Sequence, residues 1–327
     1  MKRNVFAGKK GVGGTQFSIL SDDELHDIHM ATLEVMWRTG LYVEDDEAVE
    51  IFDGGGAVVD KKTKIVKIPP HLLESALSSA PAIFPLAGRT PEHDFILEPG
   101  RVGFTNFGEA IKVVNPQTRE IHEPTKKDLS ECVRLLDYLP NIDVVERPMG
   151  CHEVPQDDVA LHNAEVLLNN TSKHIFLGPQ SGELAKKVIE MVSAVIGGKE
   201  HLAERSVLTF LTCPISPLKL VRDCCEIIIQ GSRSGMGVGV LSQALCGGTG
   251  PVSIAGTLVT HNAEVLTSLV LSQLVNKGVP FMYSSSTCSL DLRFGAAAVG
   301  TPETALISAS IAQMARYYML PVWVAGG

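Results

Sequence analysis

From residue 142 onward, short apolar runs alternate with long helical stretches, and few architectures accept that pattern. The runs fall at 142–147, 174–178, 207–212, 237–242, 280–284 and 321–325, and each is apolar throughout, as expected of strands covered on both faces. Between them, 157–169, 182–196, 218–233, 254–275 and 302–318 read as helices. A repeat of about 30 to 40 residues is that of a βα unit, so a parallel sheet is predicted. An open doubly wound sheet and a (β/α)8 TIM barrel both satisfy the order. No G-x-G-x-x-G fingerprint opens the first unit, and polar strings (GPQSGE, CPISP, SQALCGG, SSSTCSLD) follow most strand ends, as though several loops share one rim. The fold class expected is therefore α/β, a TIM barrel incomplete in this chain: about six βα strands are present, and the sixth, PVWVAGG, has no helix after it.

Upstream the texture differs. Ser21 opens a capping box, S-D-D-E, before an amphipathic helix that runs to Gly40. A G-G-G turn at 54–56, an alternating strand at 64–68 and a proline-initiated helix at 69–79 follow, and residues 1–100 read as an arm with a small α+β cap. The barrel portion is assigned to 101–327, entered through VGFTNF and IKVVNP read as a hairpin. The first seventeen residues carry lysines but no apolar core, so they read as a basic arm rather than a leader. GKKGVGG is not a phosphate-binding loop, because Thr15 and Gln16, not Lys and Ser/Thr, follow its last glycine.

Composition narrows the function classes. Lys plus Arg number 28 against 37 Asp plus Glu, a net charge of −9, which provides no field for a nucleic-acid backbone or an anionic membrane. Seven cysteines without a C-x-x-C pair fit a reducing, cytoplasmic compartment better than a disulfide framework. The most apolar stretch, 254–275, contains His261, Asn262 and Glu264 and is not read as a membrane span. No metal site is expected: His26 and His29 are too few, and Cys224 and Cys225 point to different faces of a helix.

Glu264 is the only formal charge between Arg233 and Lys277, three residues from His261 on one helical face. A buried lone carboxylate must be hydrogen-bonded or protonated, and the second state suits general acid or base chemistry. A surface or purely structural glutamate satisfies the same pattern. Asp291 follows a strand in a polar loop, where a barrel places catalytic groups, although pairing with Arg293 explains it equally. Glu303 is accounted for by the first turn of a helix capped by Thr301. Tyr283, Tyr317, Tyr318 and Trp323 are candidates for an aromatic box around a quaternary ammonium, or for core.

GTLVTHNAEVL, SSSTCSLDLRFGAAAVGTPETALISA, LPVWVAGG and the upstream CPISPL together resemble the trimethylamine methyltransferase family of corrinoid-dependent enzymes, collinearly from the LSDDELHDIHMATLEVM helix onward. The resemblance implies a TIM barrel and methyl transfer from trimethylamine to the corrinoid of a cognate corrinoid protein. It also implies a pyrrolysine, encoded by an amber codon, just after Gly327, so that the 327 residues alone are expected to be inactive. No cofactor would be bound directly by this chain. Glu264, His261 and Asn262 are then first choice for acid and hydrogen-bonding roles, with Asp291 second. Tyr283, Ser284, Ser285, Ser286 and Trp323 are expected to bind substrate, and a homo-oligomer is expected. A pyrrolysine-free, betaine-type methyltransferase and an inactive fragment or binding subunit are the alternatives.

Overall fold

The computed structural model describes residues 18–98 and 100–326. The basic arm read at the N-terminus lies outside the described residues. The chain divides into two compact units, one formed by 85–211 with 234–236, the other by 18–84, 212–233 and 237–326.

In the second unit the helix α1 (Asp22–Glu34) begins in the expected capping box, with Ser21 accepting from the Glu24 N–H and the Glu24 carboxylate accepting from the Ser21 N–H. It continues as a π-helical turn over Val35–Thr39 and ends at Gly40, whose φ of 77° lies in the left-handed region. A side chain at Gly40 would also meet the Val66 carbonyl at 2.6 Å, so glycine is required there twice over. Helices α2 (Asp46–Gly54) and α3 (Pro70–Ser79) follow. The strand Leu41–Val43 pairs antiparallel with Ile65–Lys67 and parallel with Lys219–Leu220, far along the chain. That pairing corrects the boundary expected near residue 100: residues 18–84 belong to one unit with the C-terminal strands and do not form a separate cap.

The first unit contains three parallel strands, β1 (Val144–Glu146), β2 (His174–Leu177) and β3 (Leu208–Thr212), with β1 beside β2 and β2 beside β3. Helices α4 (Lys126–Tyr138), α5 (Val159–Asn170) and α6 (Gly182–Ile196) precede or connect them. The expected VGFTNF/IKVVNP hairpin does not form. Val113–Val114 pairs instead with Ile121–His122 around a turn in which the Asn115 carboxamide accepts from the Gln117 and Thr118 amides. Thr105 bridges Val144 in parallel, and the Asp143 carboxylate accepts from the Phe104 N–H. The turn chemistry of Asn115 lies too far downstream to close the earlier run onto IKVV.

The second unit resumes with α7 (Arg222–Ser234) and then three more parallel strands, β4 (Val238–Ser242), β5 (Phe281–Ser285) and β6 (Val322–Val324), connected by α8 (Ile254–Val275) and α9 (Pro302–Tyr317). Gly237 enters β4 at φ 78° with the Pro280 carbonyl where its Cβ would stand. In both units consecutive strands are neighbours and the order never reverses, as in the winding of a barrel.

α8 is the core of its unit. α1, α2 and α3 pack on it from one side and β4 and β5 from the other. Every residue from His261 to Gln273 is buried, so this stretch turns no face to solvent. Val265, Leu266, Leu269, Val270 and Leu271 are fully buried, each contributing about 1.5–3 kcal/mol of apolar transfer. By length and composition this helix is apolar enough to cross a membrane, yet its apolar surface is spent on its own neighbours.

Candidate functional site

Strand alternation sorts the candidate residues onto two faces of the β4–β5–β6 sheet. Tyr283 and Ser285 on β5 stand beside Val240 and Ser242 on β4, and this row faces α8: the Ser242 hydroxyl reaches Glu264, and the Tyr283 hydroxyl reaches Asn262. Ser284 lies on the other face, in register with Leu241 on β4 and Trp323 on β6. The structure thus brings Ser284 and Trp323 together and separates them from Glu264, His261, Asn262, Tyr283 and Ser285.

Glu264 is fully buried, and each of its oxygens is occupied. Oε1 accepts from the Leu218 N–H at 2.8 Å, and Oε2 accepts from the hydroxyls of Ser216 at 2.8 Å and Ser242 at 2.6 Å. Burial pushes its pKa up, and the three donors pull in the opposite direction without cancelling the rise. Leu218 has φ 58°, so the carboxylate fastens a left-handed turn to the end of β4. The Ser216–Leu218 segment belongs to the CPISPL string, which explains why a solitary charge was retained inside an apolar helix.

His261 lies one turn back along α8 but makes different contacts. Its Nδ1 is 3.2 Å from the Thr287 hydroxyl, and its ring packs edge-on against Tyr283. Thr287 donates its own proton to the Ser242 carbonyl, so Nδ1 is the donor and Nε2 carries the lone pair. That Nε2 is buried with no partner, and burial lowers the pKa to about 3, which keeps the ring neutral. Asn262 donates to Thr32 Oγ1 at 3.1 Å and to the Tyr318 hydroxyl at 2.8 Å, and accepts from Tyr283 at 2.5 Å. Tyr318 in turn meets His29 Nδ1 at 3.1 Å. Asn262 is thereby the centre of a buried polar network among α1, α8, α9 and β5.

The aromatic box splits accordingly. Tyr283, Tyr317 and Tyr318 cluster with His29, whereas Trp323 stands on the opposite face with its indole N–H buried and unpartnered. Ser284 donates to the Met282 carbonyl at 3.2 Å, and Ser285 accepts from the Thr287 N–H. The Ser286 N–H donates to the Ser242 carbonyl. Asp291 accepts from the Arg293 N–H and closes the turn of a hairpin formed by Cys288–Asp291 and Ala296–Ala298. Among the described residues there is no group of three or more His, Cys, Asp or Glu arranged to hold a metal ion.

One residue that sequence reasoning passed over has the most perturbed carboxyl of the first unit. Glu146 ends β1, and desolvation alone raises its pKa to about 7. In the sequence it stands in a charged string, VVERP, where nothing marks it as buried. The available signal was its place at a strand's C-terminal end, where barrels carry their chemistry.

The trimethylamine methyltransferase (MTTB) family model matches residues 10–327. Trimethylamine methyltransferase MttB of Desulfitobacterium hafniense is 46% identical over 327 residues, which is all of this chain and 66% of that protein. MttB of Methanosarcina barkeri is 40% identical over 99% of this chain and 67% of its own length. A glycine betaine methyltransferase of D. hafniense is 30% identical over 95% of this chain and 65% of its own. The chain therefore spans about two thirds of the length of these curated relatives. The crystal structure of the Methanosarcina barkeri monomethylamine methyltransferase MtmB matches with a TM-score of 0.52 at 13% identity, covering 93% of this chain and 67% of that one. At that identity the likeness speaks for the fold, and it agrees with the unreversed winding of the strands. An α/β chain of barrel type that matches the family model along almost its whole length, this protein belongs to the trimethylamine methyltransferase family.

Proposed function

We propose that the protein takes a methyl group from trimethylamine and delivers it to the cobalt of a corrinoid carried by a separate protein. The 46% identity to MttB along the entire chain carries this reading. The corrinoid enters as the partner's methyl acceptor and not as a resident group of this chain. Pyrrolysine beyond Gly327, as the sequence resemblance implies, would supply the electrophile that ordinary side chains lack.

The residues divide by role. Ser284 and Trp323 form the substrate wall: an indole face attracts a methylated cation, and a hydroxyl and an N–H orient it. Ser286 and Asp291 shape the adjoining loop. Glu264, His261 and Asn262 act as positioning residues, because the contacts of Glu264 and Asn262 go to the strand ends, the 216–218 turn and neighbouring helices, and His261 holds Thr287. Glu264 in particular holds the turn after β3 against β4.

The test is to incubate protein isolated from its own host with trimethylamine and a reduced corrinoid protein. Methyl-cobalt absorbance is expected to appear with trimethylamine. Methylation from glycine betaine but not from trimethylamine would replace this reading by the second one, which the 30% relative supports. Peptide mapping across Gly327 tests the pyrrolysine separately: an ordinary residue there removes it from the mechanism.

A further inference from the structure

The Glu146 side chain is left without a partner by a framework that fixes everything around it. Asn106 clamps its peptide on both sides, donating from Nδ2 to the Glu146 carbonyl at 2.8 Å and accepting from the Glu146 N–H at 3.0 Å. Oε1 rests against Gly108, where a Cβ would stand 2.6 Å away, so the absence of a side chain at 108 creates the space for the carboxyl group. Oε2 is out of contact with water and accepts no hydrogen bond among the described residues, while the residue as a whole is only part-buried. A buried acceptor left unsatisfied costs stability and calls for an explanation.

No neighbouring charge supplies one. Arg147, the next residue, is ion-paired to Glu109. Asp143 accepts from the Phe104 N–H. His174, on the adjacent strand β2, is buried and held neutral, with its two ring nitrogens against the Ala87 carbonyl and the Thr209 hydroxyl. Burial is the sole cause of the raised pKa of Glu146, which places the group where it exchanges a proton near neutrality.

We infer that Glu146 is the receiving group for a protonated tertiary amine: the N–H of a trialkylammonium ion binds at Oε2 and its proton passes to the carboxylate. The N–H bond breaks with its electron pair remaining on nitrogen, an O–H bond forms, and no further reactant is needed. A tertiary amine is protonated in neutral water, and its nitrogen is nucleophilic only after that proton leaves. A quaternary ammonium has no proton to give, so the same group selects tertiary amines over betaines. The inference rests on the trimethylamine reading and deepens it by assigning the amine's first contact.

Calorimetric titration of the 327-residue chain with trimethylammonium chloride and, separately, tetramethylammonium chloride at pH 6 and pH 8 tests it. Trimethylammonium is expected to bind at least fivefold more tightly at pH 8 than at pH 6, and more tightly than tetramethylammonium at pH 8. Glu146→Gln is expected to lose at least tenfold in trimethylammonium affinity together with the pH dependence. Gly108→Ala, which displaces the carboxyl group without removing it, is expected to lose at least threefold and decides the matter if Glu146→Gln does not fold. Trimethylammonium binding that is indifferent to both substitutions or to pH overturns the inference and leaves methyl transfer standing. A wild-type chain that binds neither cation overturns it as well.

Discussion

Replacing Glu146 with glutamine should make the protein more stable at alkaline pH and leave it unchanged in acid. The carboxyl has a pKa of about 7 in the fold against 4.5 for an ordinary glutamate. A carboxyl raised on folding contributes its stability in the protonated state. That contribution is full below about pH 4.5 and is lost as pH rises through about 7. A difference of about 2.5 units at 1.36 kcal/mol each amounts to about 3 kcal/mol. Glutamine is isosteric with the protonated acid and has no such dependence. With about 2.1 cal/mol/K of unfolding entropy per residue, the 327 residues unfold with about 0.7 kcal/mol/K, so about 3 kcal/mol corresponds to roughly 4–5 °C in Tm. The assay is differential scanning calorimetry of both proteins in buffers from pH 4.5 to 8.5. The Tm values should coincide at pH 4.5 and separate by that amount at pH 8.5, with the variant higher. A difference that stays constant across the range would show that Glu146 titrates normally and that its burial is not felt.

Three further outcomes are expected. Glu264→Ala orphans three donors and should cost about 3–5 kcal/mol, whereas Glu264→Gln keeps an oxygen for the Leu218 N–H and should cost about half of that. Chemical denaturation reads both, and equal effects would mean that hydrogen bonding is not what the carboxylate supplies. The His261 ring should be neutral, with the proton on Nδ1, and its nitrogen resonances should not move between pH 4.5 and pH 8; a midpoint near 6.5 would contradict its burial. Asn262→Leu strips partners from Tyr283, Tyr318 and Thr32 and should lower stability by about 2–4 kcal/mol. In a double-mutant cycle with Tyr283→Phe the two losses should be less than additive, and simple additivity would dissolve the network.

The sequence was most legible where local chemistry and tertiary burial agree. α6 and α8 begin and end where periodicity placed them, because Ser181 and Ser253 cap their N-termini and Gly197 accepts the left-handed turn after α6. The six parallel strands were found to within two residues at either end, since runs buried on both faces are apolar at every position. The same property hid the orientation of the site. An apolar run carries no mark of which face a helix will cover, so Tyr283 and Ser284 read alike although they point in opposite directions. The unit boundary was not legible either, because it depends on Leu41–Val43 finding Lys219–Leu220, a pairing with no local signal. Glu264 stood out by its solitude, with a buried and a surface position both open, and only the positions of Ser216, Leu218 and Ser242 reveal that it is buried with its oxygens fully engaged.

The two-sided sheet has a consequence for anyone altering the specificity of such an enzyme. Odd positions of β5 are answered by the protein itself: Tyr283 by Asn262, and Ser285 by Thr287. Even positions, Met282 and Ser284, are just as buried but belong to the other face, where Trp323 stands alongside and the Ser284 hydroxyl donates to the Met282 carbonyl of its own strand. With the even face as the substrate wall proposed above, a mutational scan along this strand should beat with a period of two, substrate preference shifting at the even residues and not at the odd ones. Libraries meant to test that face belong on the even beat, with replacements that keep the volume of these buried side chains.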